Sequence, residues 1–210
     1  MKTTCLNTKI LLKERVQLKD RLPLFDRRTL TRKAVIALNV RCGVQVRNYR
    51  KPLVVVAPKT LLRLPGAASS LAELGPGTSF QTVVPDTIAQ DRSKVERLVF
   101  VSGKHYYTLA KHMEEHSITN VAVIRLESLC PFPAKRLQDE LQSYPNAKSW
   151  VWSQEEHRNM GAWTFVAPRF QNLLGVKLGY AGRGELCQPA VGVGQVHQQE
   201  NRDILQLTFA

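Results

Sequence analysis

The stretch Leu98 to Met113, LVFVSGKHYYTLAKHM, limits the possible folds of this chain more than any other part of it. Leu98, Val99, Phe100 and Val101 form an unbroken apolar run, Ser102-Gly103-Lys104 interrupts it, and Tyr106, Leu109, Ala110 and Met113 then recur at helical spacing. An apolar run without alternation predicts a strand buried on both faces, which needs layers packed above and below it. The chain therefore reads as strand, glycine turn and helix. In an open parallel sheet that crossing lies at the carboxyl edge, where loops collect ligands and the free amides of a helix start favour anions.

The same alternation repeats downstream. Val121 to Leu126 predicts a second strand, and Pro131-Phe132-Pro133 opens a helix through Leu137 and Leu141. Trp150 to Trp152 predicts a third strand running into a loop from Ser153 to Gly161. A helix from Ala162 to Leu174 follows, and Pro168 within it predicts a kink or a split. Lys177 to Ala181 predicts a fourth strand, and Gln198 to Phe209 a closing amphipathic helix. Strands alternating with helices predict an α/β fold, a doubly wound three-layer sandwich over residues 92–210. Upstream, Leu53 to Ala57 predicts one buried strand, and the Gly/Pro-punctuated residues up to 91 a connector.

Charge is distributed unevenly. Residues 1–50 hold 13 Lys and Arg against Glu14, Asp20 and Asp26, so +10 of the formal +13 sits there. The body is only mildly basic, and a nucleic-acid reading rests on this arm alone. Residues 1–45 are basic, Thr-bearing and poor in acids, which fits a mitochondrial transit peptide or an irregular, disordered extension. A basic arm for nucleic acid is the third reading, weakened by the lack of interleaved aromatic residues for base stacking. No apolar run approaches the roughly 18 residues of a membrane span. Cys5, Cys42, Cys130 and Cys187 form no CxxC pair, so neither a zinc ribbon nor a redox dithiol is signalled.

Five blocks in order, RNYRKPLVVVAPKTLLRLPGAASSLAELGPGTSF (47–80), LVFVSGKHYYTL (98–109), AVIRLESLCPFP (122–133), WSQEEHRNMGAW (152–163) and PAVGVGQVHQQENRDIL (189–205), resemble the C-terminal region of the 2-oxoglutarate dehydrogenase E1 family, most closely its 2-oxoadipate branch. The resemblance covers residues 47–210 and implies a fold like the transketolase C-terminal domain, with Leu53 to Ala57 as the last strand of a pyrimidine-binding domain. It also implies a thiamine-diphosphate- and Mg²⁺-dependent E1 component that decarboxylates 2-oxoadipate or 2-oxoglutarate in the mitochondrial matrix. Such E1 chains work as homodimers with a dihydrolipoyl acyltransferase (E2) and a dihydrolipoyl dehydrogenase (E3). The Gly-Asp-Gly motif of the cofactor site is absent from this sequence, so the expected role of the chain itself is dimer packing or effector binding.

In some bacterial relatives this domain takes up acetyl-CoA, and the resemblance carries that role onto Ser102, Gly103, Lys104 and Arg125. A hydroxyl, a helix start and two cations at one sheet edge suit an effector phosphate. For Gln154, Glu155, Glu156 and His157 the expectation is an interface or loop-anchoring segment, because adjacent carboxylates on extended chain point in opposite directions. His112-Met113-Glu114-Glu115-His116 matches the HxxEH spacing of inverted zinc proteases, with Glu185 as the one remote candidate for a third ligand. A solvated, charged helix face is the expected reading, and no metal or catalytic residue is assigned. The SGK turn lacks the GxxxxGK[ST] spacing of a nucleotide-hydrolysing phosphate loop.

Overall fold

A computed structural model describes residues 81–89 and 91–210, and of the preceding part residues 58, 60, 61 and 64–68. The chain divides into two compact units at Phe80 and Gln81. In the first, Pro65–Ala67 forms a single 3-10 turn with proline at its start. The expectations for residues 1–45 and for a strand over Leu53 to Ala57 lie outside the described residues.

The second unit is a five-stranded sheet with helices on both faces. Its strands are β1 (Val83–Val84), β2 (Arg97–Val101), β3 (Val121–Leu126), β4 (Ser149–His157) and β5 (Gly179–Arg183), in the order β1-β3-β2-β4-β5. Four of them run parallel; β1 alone is antiparallel, pairing Val83 with Leu126 and Val84 with Arg125. The helices are α1 (His105–His116), α2 (Ala134–Gln142), α3 (Trp163–Leu174) and α4 (Gly194–Phe209). Among the described residues no helix is long and apolar enough to cross a membrane.

Side-chain alternation sorts each strand between two cores. Leu98 and Phe100 of β2, Ala122, Ile124 and Leu126 of β3, and Trp152 of β4 pack with Leu137 of α2 and Val166 and Phe170 of α3. Val99, Val101, Val121 and Val123 face the other way, onto Tyr106, Leu109 and Met113 of α1 and Leu205 and Phe209 of α4. The sheet is therefore wound on both sides, as a three-layer sandwich. Phe100 and Phe170 meet edge to face at 4.8 Å between ring centroids, a geometry worth about 1 kcal/mol beyond the area it buries.

Five local expectations shift. The third strand does not end at Trp152 but runs on to His157, because Gln154 buries its polar side chain in hydrogen bonds and so tolerates a strand position. Strand β5 begins at Gly179 and not at Lys177, and α4 begins at Gly194, four residues before the start expected from its apolar spacing. Val83–Val84 is an edge strand too short for any periodicity to show. Pro168 does not split α3; one continuous helix contains it and ends at Gly175, whose φ of +69° suits a residue without Cβ.

Candidate functional site

Strand β2 is followed through α1 to β3 on one side, and the chain then returns past β2 to β4 on the other. The carboxyl ends of β2 and β4 thus flank the switch point where open α/β sheets form their crevice. Here the backbone turns at Gly103 (φ +68°), and Lys104 precedes the first residue of α1. Lys104 Nζ pairs with Glu155 Oε1 of β4 at 2.9 Å, both side chains being partly exposed. Behind the pair lies a cavity of about 730 Å³, lined among others by Lys104, Glu155, Met160, Arg183, Val191 and Asn201. That volume lies in the range of small-molecule pockets.

Behind His105, which lines the cavity, runs a buried relay. Thr208 Oγ1 donates to the Ile204 carbonyl at 2.7 Å. Its only proton being used, Thr208 accepts from Ser153 Oγ at 2.9 Å, and Ser153 in turn accepts from His105 Nε2 at 2.9 Å. The neutral His105 ring therefore carries its proton on Nε2 and leaves Nδ1 a buried acceptor without a partner. Burial first and Lys104 second push its pKa down to about 4, against the opposing pull of Glu155. The imidazole stays uncharged at neutral pH.

Arg183 forms the floor. Its side chain is buried, its Nη1 pairs with Glu200, and its Nη2 meets His197 Nδ1 at 2.9 Å and Asn201 Oδ1 at 2.7 Å. One arginine of β5 thereby ties down three residues of α4, His197, Glu200 and Asn201.

Of the residues expected to hold an effector, Ser102, Gly103 and Lys104 form the turn at the β2 edge, and Lys104 is half open to solvent. Arg125 stands level with Val101 on the neighbouring strand. It is 7% exposed, lies over the Tyr106 ring at 4.3 Å, donates to Tyr107 Oη at 3.3 Å and pairs with Glu127 at 3.7 Å. Lys104 and Arg125 thus occupy one edge with different partners, one open and one covered.

The segment Gln154 to His157 divides its work. Gln154 Oε1 accepts from Trp152 Nε1 at 2.9 Å and from the Trp163 amide at 3.0 Å. Its Nε2 donates to the carbonyls of Glu156, His157 and Met160 at 3.2, 3.0 and 2.9 Å. One carboxamide thereby folds the whole β4–α3 turn, and Gly161 (φ +66°) leaves it room, since a Cβ there would stand 3.1 Å from both Gln154 polar atoms. His157 Nδ1 donates to the Gly184 carbonyl at 3.1 Å, Glu155 faces Lys104, and Glu156 is exposed.

His105, Ser153, Thr208 and Arg183 carry no motif and escape sequence reasoning. One signal for the α4 side was present: His197, Glu200 and Asn201 share one helical face by their spacing. His112 and His116 lie side by side on α1, and among the described residues no three His, Cys, Asp or Glu side chains are grouped to hold a metal ion, so Glu185 completes no triad there.

The family model described as 2-oxoglutarate dehydrogenase C-terminal matches residues 68–209. The human 2-oxoadipate dehydrogenase complex component E1 is 52% identical over 167 residues, 79% of this chain and 18% of that protein. The zebrafish (Danio rerio) protein of the same name is 50% identical over the same shares. The 2-oxoglutarate dehydrogenase E1 component of Cupriavidus necator is 45% identical, again over 79% of this chain and 18% of its own length. The chain spans about 18% of the length of the curated relatives it matches. Among solved structures, an inactive β4 tetramer of a split-gene transketolase shows a TM-score of 0.44 at 15% identity, over 64% of this chain and 44% of that one. By its sequence over residues 68–209, this chain belongs to the family of 2-oxoglutarate dehydrogenase C-terminal domains.

Proposed function

We propose that this chain acts as the C-terminal part of the E1 component of a mitochondrial 2-oxo acid dehydrogenase complex, on 2-oxoadipate or 2-oxoglutarate, and that its own contribution is to pack the E1 dimer and to bind an anionic effector. The identity of about half to E1 components of the 2-oxoadipate type carries the first statement. Partners follow from it: a second E1 chain, the acyltransferase E2 and the dihydrolipoyl dehydrogenase E3.

Effector binding is supported by the position of Lys104. It stands at the switch-point edge beside the Ser102-Gly103 turn, and its one partner, Glu155, is itself partly exposed. Such an ion pair contributes under about 1 kcal/mol, so a phosphate exchanges for the carboxylate at small cost. Arg125, braced by Tyr106 and Tyr107, supplies a second fixed positive charge to the same edge. Packing is supported by Leu173, Val193, Val196 and Leu207, large apolar side chains exposed on or beside α3 and α4. Gln154 and His157 serve as anchors of the loop after β4.

Thiamine diphosphate and Mg²⁺ belong to the reading of the whole enzyme. Among the described residues no three acidic, histidine or cysteine side chains are grouped to hold a metal ion. No catalytic step is therefore assigned to them.

The test is calorimetric titration of the full chain with acetyl-CoA and, separately, with thiamine diphosphate plus Mg²⁺. Saturable acetyl-CoA binding, weakened in Lys104→Ala and Arg125→Ala, is expected. No acetyl-CoA heat, or heat unchanged in both variants, removes the effector reading; saturable thiamine diphosphate binding overturns the non-catalytic role.

A further inference from the structure

The last turn of α1 holds two of the five histidines of the chain, four residues apart and on one face. The rings of His112 and His116 lie 4.0 Å apart between centroids, tilted by 31°. His116 Nδ1 stands 3.0 Å from the His112 carbonyl oxygen, which only accepts. The proton of the neutral ring is therefore on Nδ1, and Nε2 presents a bare lone pair to solvent. This is the arrangement of a metal-binding histidine, whose second nitrogen donates to a backbone carbonyl that fixes the tautomer and the ring plane.

His112 is also held in place. The Phe209 ring of α4 stacks on it at 5.1 Å and 27°. His116 is the last residue of α1, and Phe209 is the last residue of α4. Two helix C-termini, each the negative end of a macrodipole, thus lie around the pair and favour a cation there. Glu115 adds a carboxylate on the same turn, where Lys111 meets it at 3.5 Å.

We propose that His112 and His116 form a two-imidazole chelating site for a borderline divalent transition-metal ion, Zn²⁺, Ni²⁺ or Cu²⁺, at the junction of α1 and α4. Imidazole selects such ions over Mg²⁺ and Ca²⁺. Water fills the remaining positions, so the ion is exchangeable and open to a further ligand. The site is separate from the switch-point cavity and independent of the effector reading.

The probe is NiCl₂, titrated calorimetrically into the full chain at neutral pH, with MgCl₂ as the comparison ion. One Ni²⁺ site is expected, with no heat from Mg²⁺. Affinity falls roughly a hundredfold in His116→Gln and in His112→Ala, because losing either imidazole removes the chelate. His116 is exposed, and thermal unfolding of the variants confirms that the fold is kept. In the wild-type chain paramagnetic Ni²⁺ broadens the NMR signals of the Phe209 ring, which packs on a ligand. Unchanged Ni²⁺ affinity in both variants overturns the proposal, as does binding that leaves Phe209 sharp or Mg²⁺ binding of equal strength.

Discussion

The two faces of the one sheet are made of different material. Towards α2 and α3 the strands present Leu98, Phe100, Ile124 and Trp152, packed on Phe170, with one buried polar side chain, Gln154, fully bonded to Trp152 and the start of α3. Towards α1 and α4 three strands contribute buried polar residues: Arg125 from β3, Ser153 and His157 from β4, and Arg183 from β5. The first face is held by area removed from water. The second must satisfy each polar group in turn, and it leaves gaps: His105 Nδ1, Arg125 Nε and Arg183 Nε are buried without partners. A face of this kind is costlier to assemble and better suited to a site.

The largest effect that would test the contrast is on the apolar face. Trp152→Ala deletes a fully buried ring and a donor to Gln154; urea unfolding should show a loss of about 3–5 kcal/mol. A much smaller loss would mean that α3 recloses over the gap and that this core is not close-packed.

The polar face should reveal itself through acid. His105 has its pKa lowered from 6.5 to about 4 by burial. The unfolded chain takes up this proton before the folded one does, so the contribution is complete above pH 6.5 and is lost as the pH falls towards 4. This one group contributes about 3 kcal/mol across that window. Unfolding free energies measured across it should fall more steeply in the wild type than in His105→Gln; parallel curves would remove His105 from the account.

A smaller loss is expected at Ser153→Ala. It strips His105 Nε2 of its acceptor and Thr208 of its donor, at about 1–3 kcal/mol. A neutral outcome would show that water replaces the hydroxyl and that the relay is wetter than its burial implies. Least of all, Glu155→Gln should change stability by under about 0.5 kcal/mol, since its bridge to Lys104 is exposed on both sides. The same variant leaves Lys104 unpaired, so acetyl-CoA should bind it more tightly than the wild type in a titration.

The opening of the site was legible from the sequence, and its interior was not. The break from apolar strand to Ser102-Gly103-Lys104 marked the turn, and Gly103 does adopt a positive φ there. Nothing around Ser153 or Arg183 announces a buried polar residue: each lies in a short run whose alternation gives two faces without saying which is covered by what. Gln154 illustrates the difference. Four consecutive polar residues read as the end of a strand, yet Gln154 is 3% exposed because five hydrogen bonds replace its contact with water.

By itself the sequence determined the elements and their layering, since apolar runs, glycine turns and helical spacing are local properties of a chain, and residues 68–209 determined its family. Only the tertiary structure decided the strand order, which brought Lys104 to Glu155 across 51 positions of sequence, and which polar side chains found partners. The reason is physical: an unpaired polar group in the interior is so costly that its place depends on one particular partner, and that partner is supplied by a distant element whose position no local pattern encodes.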